Sequence, residues 1–442
     1  MSNLDSLVSL CKRRGFIFPG SDVYGGFAGT WDFGPLGVML KKNIMDTWWN
    51  FWVEKRDDIF GVDAAILMNP RTWVASGHTA TFNDPLIECK NCHGRFRADK
   101  LASGLNESIT TEEFLNLHVK CPTCGKEDWG EIRKFNMMFK THVGPVEDET
   151  SVAYLRPETA QGIFTNYKNV IDTVYPDLPF GLAQQGKSFR NEISPRDFIL
   201  RDRECSQMEI EYFVKPETWE NEFEKLLKEN DEFLIKLMGL KSENLHHLEV
   251  EEKDRAHYSK RTVDYMFDYP NGEEELMGLA YRTDFDLRNI ERESGKSMEY
   301  RDKNSNEVLV PHVIEPSVGV ERLTLAVLST AFAEEKVEGK DETRTVLKLP
   351  YRLAPYKFCV SPLLKNKPEL VSKAKEVYEL LKEKYTFVTW DDSGNIGKRY
   401  RKQDEIGTPK CVVVDFDSLE DNSVTVRDRD TTKQIRVKIS EL

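Results

Sequence analysis

The stretch GKSFRNEISPRDFILRDRECSQMEIEYF, residues 186–213, decides the fold. Arg190 and Glu192 are two residues apart, and further on Glu209 and Glu211 alternate with apolar residues. A period of two is typical of strands, so residues 180–214 predict two strands joined by a charged loop. Side chains two apart share a face, so one site can contact both Arg190 and Glu192. On this local sequence alone, a solvated charged hairpin with internal ion pairs explains the pattern about as well.

The sequence on either side of this hairpin predicts a mixed α/β protein of several domains, since 442 residues exceed the usual domain length. Apolar residues recur every three or four positions over 36–55, which predicts a Trp-rich amphipathic helix. Further predictions are a strand at 62–68 ending before Pro70, a charged amphipathic helix at 217–240, and a glycine-containing turn leading into an apolar helix over 317–330.

The C-terminal part, residues 350–442, predicts a separate small α/β domain. Strands are predicted at 356–360, 386–390, 410–415, 423–427 and 434–439, with helices at 368–384 and 396–405. The polar, acidic stretch before it predicts a linker at 336–349.

Composition restricts the classes of partner. The net charge of −13 argues against indiscriminate binding to phosphate backbones, although residues 350–442 hold 18 Lys and Arg against 15 Asp and Glu. There is no apolar run of about 18 residues and no secretory signal pattern in residues 1–14, so we expect a cytoplasmic protein without membrane spans. Four of the eight cysteines are scattered singly, which favours reducing conditions over a disulfide framework.

The other four cysteines form two tight pairs, Cys89-x-x-Cys92 and Cys121-x-x-Cys124. Two such knuckles around a hairpin-length module are typical of a zinc ribbon, and four thiolates complete a tetrahedral shell. The predicted metal site is therefore structural Zn²⁺ without an open position. The alternative is four unrelated reduced thiols.

Three blocks resemble the motifs of class II aminoacyl-tRNA synthetases. FRNE at 189–192, followed by a loop and Arg201, resembles motif 2, PSVGVERL at 316–323 resembles motif 3, and the long helix and strand before Pro70 resemble motif 1, the dimer element. TWDFGPLG at 30–37, LRPETAQGIF at 155–164, RTDFDL at 282–287 and IGKRYRKQDEIG at 396–407 further resemble the bacterial-type dimeric glycyl-tRNA synthetases. The resemblance covers nearly the whole chain.

The resemblance implies an α/β (α+β) fold with an antiparallel catalytic sheet. It implies a catalytic domain at 1–88 and 131–335, a zinc-ribbon insertion at 89–130, the linker at 336–349 and an anticodon-binding domain at 350–442. The implied activity is activation of glycine with ATP to glycyl-adenylate and transfer of glycine to the 3′ end of tRNA-Gly, with Mg²⁺ held through Glu275. A homodimer is expected from motif 1 and the apolar, Trp-rich helix.

Roles for individual residues also follow from the resemblance. Arg190 should hold the α-phosphate, Glu192 the adenine amino group and Arg201 the γ-phosphate, while Arg322 covers one adenine face; Cys205 stands where the family has phenylalanine against the other face. The implied site residues are Arg190 and Arg322 for catalysis; Arg190, Asn191, Glu192, Arg201, Cys205, Glu275, Leu276, Gly319 and Arg322 for ATP; Arg97, Glu158, Gln207, Glu209, Glu315, Ser317 and Gly319 for glycine; and Cys89, Cys92, Cys121 and Cys124 for metal.

Three other interpretations stay open at this point. They are an inactive synthetase paralogue that binds nucleic acid, a related enzyme for proline, threonine or histidine, and a zinc-ribbon RNA-binding protein. A basic cluster in the C-terminal part either contacts tRNA phosphates and bases or is a solvated helix face; it comprises Lys398, Arg399, Tyr400, Arg401 and Lys402.

Overall fold

The structure, a computed structural model, describes residues 3–102, 105–106, 108–303, 305–336 and 341–442. In chain order the helices are α1 Asn3–Arg14, α2 Pro35–Trp49, α3 Arg71–Ala75, α4 His78–Thr81, α5 Thr111–Asn116, α6 Ala160–Thr173, α7 Trp219–Asp231, α8 Phe285–Ser294, α9 Val320–Ala331, α10 Pro368–Lys384, α11 Ile396–Ile406 and α12 Phe416–Asp421. The strands are β1 Ile17–Pro19, β2 Trp31–Phe33, β3 Ile59–Gly61, β4 Asn83–Glu88, β5 Arg95–Arg97, β6 Arg133–Asn136, β7 Lys140–His142, β8 Val152–Tyr154, β9 Phe180–Phe189, β10 Glu204–Val214, β11 Leu245–Glu249, β12 Arg261–Tyr269, β13 Gly272–Thr283, β14 Tyr300–Arg301, β15 Val308–Leu309, β16 His312–Gly319, β17 Phe332–Lys336, β18 Thr343–Leu347, β19 Phe358–Pro362, β20 Val388–Trp390, β21 Lys410–Val414, β22 Ser423–Asp428 and β23 Gln434–Lys438.

A seven-stranded sheet carries the centre of the molecule, in the order β11-β12-β13-β16-β10-β9-β3. Its strands are antiparallel to their neighbours, except that β3 joins the edge parallel to β9. The hairpin predicted for 180–214 is formed by β9 and β10, and Phe189 pairs with Glu204 next to the charged loop. The predicted α/β architecture with a central antiparallel sheet is thus present.

Helix α2 and its π-helical extension Asn50–Glu54 bury the apolar stripe predicted for residues 36–55. Leu40, Ile44, Trp48 and Trp52 are at most 2% exposed, in one core cluster with residues of the sheet and of α9. Burial of such large side chains contributes about 1.5–3 kcal/mol each. The Trp-rich face therefore belongs to the core of the chain itself, and the use of this face as support for a dimer was wrong.

The segment with the paired cysteines forms a small module on the sheet β5-β4-β6. Its core contains Ile87, Phe114 and Trp129, and the Trp129 Nε1–H donates to the carbonyl of Val119 at 2.7 Å. Helix α5 begins with a capping box between Thr110 and Glu113. This small core sits directly around the cysteines.

The C-terminal part folds as a five-stranded sheet in the order β20-β19-β21-β22-β23. Strands β20, β19 and β21 are parallel, while β22 and β23 continue antiparallel. Each strand and helix predicted in residues 350–442 forms, with small shifts of its ends. The short helix α12, with its capping box at Asp415, was not predicted.

Three local predictions were wrong. The strand predicted at 62–68 lies earlier, at β3, because beyond it the Ala64 carbonyl accepts from the Arg156 guanidinium at 2.8 Å instead of from a neighbouring strand. The glycine-containing turn is absent from the described residues 312–331, since β16 runs directly into α9. In the predicted linker 336–349, β18 pairs with β17, so this part is a hairpin; residues 337–340 of it lie outside the described residues.

A buried ion-pair network connects this hairpin to the C-terminal sheet. The Asp404 carboxylate accepts from Arg344 at 3.1 Å and from Arg427 at 2.7 and 3.0 Å. At the N-terminus, Arg13 contacts Glu405 at 3.0 Å. Among the described residues, none of the helices combines the length and apolar character needed to cross a membrane.

Candidate active site

A cavity of about 370 Å³ lies against the central sheet, between the hairpin β9–β10 and the junction of β16 with α9. Thirteen predicted site residues line it: Glu158, Arg190, Glu192, Arg201, Cys205, Gln207, Glu209, Glu275, Leu276, Glu315, Ser317, Gly319 and Arg322. Strand alternation explains their convergence, because β10 and β16 pair with Gln207 opposite Gly319 and Glu209 opposite Ser317. Residues distant in the sequence thus share one face.

One end of the cavity is rich in arginines. The Arg190 Nε–H donates to the Pro157 carbonyl at 3.1 Å, and Arg201 lies 3.7 Å from the Glu192 carboxylate. Arg203 braces the loop between β9 and β10 by donating to the carbonyls of Ala28 and Glu192 at 2.6 and 3.0 Å. The loop therefore holds fixed cations at the cavity wall, which suits an anionic ligand.

Arg322 occupies the first turn of α9 and is fixed by two neighbours. Its guanidinium donates to the Glu275 carbonyl at 2.9 Å and lies 3.2 Å from the Glu275 carboxylate, and its Nε–H donates to the Leu200 carbonyl at 3.4 Å. The positive charge of Arg322 holds the pKa of Glu275 below its usual value. The planar guanidinium is therefore held against the cavity.

Cys205 lies in the same part of the cavity, on β10. Its Sγ is 3.0 Å from the Ser188 Oγ. Burial, with smaller contributions from Asp202 and Glu321, raises the pKa of the thiol to about 11. Cys205 is thus a small, uncharged wall residue at neutral pH.

Four further carboxylates that line the cavity were not among the predicted site residues: Asp202, Asp254, Asp264 and Glu321. Burial and the nearby Glu321 raise the pKa of Asp202 to about 8, and burial and the nearby Glu275 raise that of Asp264 to about 7. Both line the cavity together with Glu275. Oxygen ligands of this kind are what Mg²⁺ prefers, so the residues present fit such an ion beside a polyphosphate.

The other end of the cavity is acidic. Thr159 donates its hydroxyl to Glu209, and the His78 Nε2 lies 3.3 Å from the Glu158 carboxylate. Burial alone would raise the pKa of Glu158, but His78, Arg282 and Arg190 hold it well below its usual value. Glu158 is therefore ionised and faces a small pocket.

Arg282 supports the acidic end and was missing from the predicted site residues. Its guanidinium donates to Glu315 at 2.9 Å and to both oxygens of Asp286 at 2.8 and 2.9 Å. The ring of Tyr258 stacks 3.7 Å from it. The sequence contains a signal for such a residue, since Arg282 lies in the largely apolar stretch LMGLAYRT, residues 276–283. A buried cation requires anionic partners, so this arginine indicates a buried charged site.

Two predicted residues do not line the cavity. Arg97 binds Asp84 and Asp99 within the cysteine module, at 2.9 and 2.8 Å. Asn191 turns its backbone N–H to the Met137 carbonyl at 2.8 Å. The structure thus does not bring Arg97 together with the predicted glycine-binding glutamates.

The four paired cysteines form a compact cluster. The Sγ atoms of Cys89 and Cys124, and those of Cys92 and Cys121, are 3.6 Å apart, and all four lie within 4.8 Å of one another. These distances exclude disulfide bonds, whereas four sulfurs bound to one Zn²⁺ lie about 3.8 Å apart. The residues therefore fit a tetrahedral zinc site.

The basic cluster of α11 is mostly engaged within the chain. Arg399 is 3% exposed and donates to the carbonyls of Pro362 and Gly394, Lys402 contacts Asp391 at 3.1 Å, and the Tyr400 ring lies under the Arg427 guanidinium at 4.8 Å. Arg399 is therefore engaged within the chain, whereas Lys398 is exposed and the Lys402 side chain is 45% exposed, so a contact of this cluster with tRNA stays a prediction.

Comparison with protein families matches residues 139–331 to the class II core domain of tRNA synthetases for G, H, P, S and T. Residues 357–442 match the anticodon-binding domain. These two matches cover the cavity, six of the seven strands of the central sheet (all but β3) and the C-terminal sheet.

Among individual proteins, the chain is 49% identical to the glycine–tRNA ligase of Ureaplasma urealyticum, covering 99% of this chain and 94% of that one. It is 50% identical to the glycine–tRNA ligase of Caldanaerobacter subterraneus, with 99% and 96% covered. Among solved structures, the prolyl-tRNA synthetase of Cryptosporidium parvum, complexed with halofuginone and AMPPNP, superimposes with a TM-score of 0.67 at 14% identity, covering 99% of this chain and 73% of that one. At this identity the likeness shows a shared fold.

Proposed function

Since this chain belongs to the glycine–tRNA ligases, class II aminoacyl-tRNA synthetases that use ATP to charge tRNA with glycine, we propose that the cavity over the central sheet is its active site. In this proposal ATP occupies the arginine-rich end and glycine the acidic end. The observation that carries the proposal is the opposed charge of the two ends within one cavity.

For ATP, Arg190 and Arg201 bind the phosphates and Glu192 accepts from the adenine amino group. The guanidinium of Arg322 stacks on one adenine face, a contact of about 0.5–2 kcal/mol. Cys205 and Leu276 form other parts of the adenine wall and Gly319 contributes backbone, while an ATP contact by Asn191 stays a prediction. Support comes from the contacts of Arg322 with Glu275 and Leu200, which keep the planar group in place before ATP arrives.

For chemistry, a carboxylate oxygen of glycine attacks the α-phosphorus, and the bond from that phosphorus to pyrophosphate breaks. The 3′-hydroxyl of tRNA then attacks the glycyl carbonyl carbon, loses its proton and displaces AMP. Arg190 and Arg322 act as catalytic residues by placing fixed positive charge around the reacting phosphate. Mg²⁺, held through Glu275 with Asp264 or Asp202 nearby, would neutralise phosphate charge when bound.

For glycine, the carboxylates of Glu158, Glu209 and Glu315 receive the ammonium, with Gln207 and Ser317 beside them. Support comes from the three acids being buried and lining one end of the cavity. A closed pocket excludes alanine because its additional methyl group has no space. Such a steric clash discriminates more strongly than the loss of one methylene contact, which is worth only about 1–3 kcal/mol. A glycine contact by Arg97 stays a prediction.

The cysteine cluster, by its sulfur spacing, supports structural zinc in the module at 89–130. We further propose the catalytic and anticodon-binding division of the chain as predicted, a cytoplasmic place of action, and a homodimer. Exposed apolar side chains before α2, on Val23, Tyr24 and Phe27, support a protein contact there, and sedimentation equilibrium would report the monomer mass if no dimer forms.

The proposal is tested by glycine-dependent exchange of labelled pyrophosphate into ATP, with alanine, serine, proline and threonine in parallel. We expect exchange with glycine alone, and its loss in Arg190→Ala. A matched control is Arg196→Ala, in the same loop but outside the lining of the cavity, which should keep exchange. Exchange that survives Arg190→Ala unchanged would refute the assignment of this cavity.

A further inference from the structure

Glu211 lies next to the acidic end of the cavity, two residues along β10 from Glu209, and has no assigned role. It is 0% exposed, does not line the cavity, and neither carboxyl oxygen has a hydrogen-bond partner among the described residues. The pairs Glu209–Ser317 and Tyr212–Ile314 place Glu211 beside Glu315 across β10 and β16. One oxygen each of Glu209, Glu211 and Glu315 lies within 4.8 Å of the others. A buried carboxyl group without a hydrogen-bond partner therefore lies next to the two glutamates that are proposed to bind glycine.

The charges around Glu211 are already unbalanced. Glu209 on its own strand, Glu315 on β16 and Asp286 on α8 carry carboxyl groups, and Arg282 on β13 is the cation that donates to the last two. Burial raises the pKa of Glu315 well above its usual value too, but the hydrogen bond from Arg282 opposes this effect, whereas Glu211 has no such donor. A further buried negative charge without a hydrogen bond is strongly unfavourable, so such a group takes up a proton instead. Burial, followed by the repulsion from Glu315, raises the pKa of Glu211 well above its usual value.

We propose that Glu211 is a positioning residue for glycine recognition: as an uncharged carboxylic acid it shares its proton with the adjacent carboxylates and fixes Glu209 and Glu315 for the substrate ammonium. The inference rests on the proposed function of the cavity and adds to it a residue that acts on glycine through Glu209 and Glu315. Two ionised carboxylates directly opposite each other on neighbouring strands repel, whereas one protonated and one ionised group attract. Because Glu211 is uncharged, the three glutamates can lie close together without the repulsion of three negative charges.

The test compares Glu211→Gln, Glu211→Leu and Glu209→Gln in the full chain by glycine-dependent pyrophosphate exchange. Glutamine keeps the size, the neutrality and a donor, so E211Q should keep the KM for glycine within about 3-fold of wild type. Leucine removes the donor, so E211L should raise this KM by about 10-fold or more while the KM for ATP stays constant. E209Q removes a contacting charge and should lose glycine recognition although its shape is the same.

Three results would overturn the inference. If E211Q raises the KM for glycine as much as E209Q does, Glu211 acts as a charged residue. If E209Q itself keeps the wild-type KM, the glycine site lies elsewhere and the proposed function fails together with this inference. Infrared difference spectra of wild type minus E211Q should show a protonated-acid carbonyl band at neutral pH; its absence would refute the uncharged state even if a variant folds poorly.

Discussion

At Cys205 the chain has a small side chain where the class II pattern places phenylalanine, and the structure puts it in the wall of the proposed ATP site. We expect Cys205→Phe to lower the KM for ATP about 2- to 10-fold. The reason is that an aromatic ring against adenine adds a stack of about 0.5–1.5 kcal/mol opposite Arg322. The measurement is the KM for ATP in pyrophosphate exchange at saturating glycine.

The control for this change is Cys205→Ala, which removes the contact of the thiol with Ser188 without adding a ring. Its KM for ATP should stay within about 2-fold of wild type, since a neutral buried hydrogen bond to sulfur contributes little. A higher KM in Cys205→Phe would mean that Leu200 and Leu276 already fill the space beside the base.

Short motifs predict residues whose partners are close in the sequence, and this explains which site residues could be foreseen. Arg190 and Glu192 both line the cavity as their motif implied, but they follow the end of β9 at Phe189, so the strand period of two is not what brings them together. Arg282 was missed although Asp286, four residues on, accepts from it, because its other partner Glu315 becomes a neighbour only when β13 pairs with β16. Arg97, which the resemblance implied for glycine, is paired with Asp84 inside the cysteine module.

At the scale of elements, the cysteine module should depend on metal. We expect wild type to contain one zinc per chain and Cys121→Ser to lose it, because a structural site needs its full set of thiolates and its binding energy is folding energy. The small core around Phe114 and Trp129 should then open. The measurements are metal content by atomic emission and tryptophan fluorescence.

A matched control is Cys359→Ser, which changes another buried cysteine in the C-terminal sheet. This variant should keep its zinc. Acid should release the metal from wild type, since protons compete for the thiolates. Wild-type protein that is purified without any zinc and retains a folded module would contradict the assignment.

Periodicity predicts an element but not what covers it. Helix α10 and the strands β9 and β10 form as predicted because their patterns are long and regular. The apolar stripe of α2 was expected to support a dimer, yet Trp48 and Trp52 pack inside the chain. An apolar stripe has the same sequence pattern whether it packs on a sheet of its own chain or on a partner chain. Tertiary packing, and not the pattern, therefore decides which surface covers the stripe.

At the scale of the whole molecule, charging requires that the cavity and the C-terminal domain contact the same tRNA in a fixed relation. Asp404 is placed to hold this relation, because it accepts from Arg344 of the β17–β18 hairpin and from Arg427 of the C-terminal sheet. We expect Asp404→Asn to lower kcat/KM for tRNA charging about 10-fold or more while pyrophosphate exchange stays within about 2-fold. Removing the charge leaves the buried Arg427 guanidinium without its carboxylate, a loss of several kcal/mol, while Arg344 keeps Glu335 as its remaining anionic partner.

The matched control is Glu379→Gln, on α10 of the same domain. Glu379 contacts Lys382 at 3.5 Å, the two side chains are 64% and 47% exposed, and such pairs contribute about 0–1 kcal/mol, so both reactions should stay near wild type. The two reactions use the same cavity but only charging needs tRNA, so the ratio of charging to exchange isolates the orientation of the domains from the chemistry. An equal loss of both reactions in Asp404→Asn would show that Asp404 maintains the catalytic body itself, because a displaced C-terminal domain alone cannot slow the exchange.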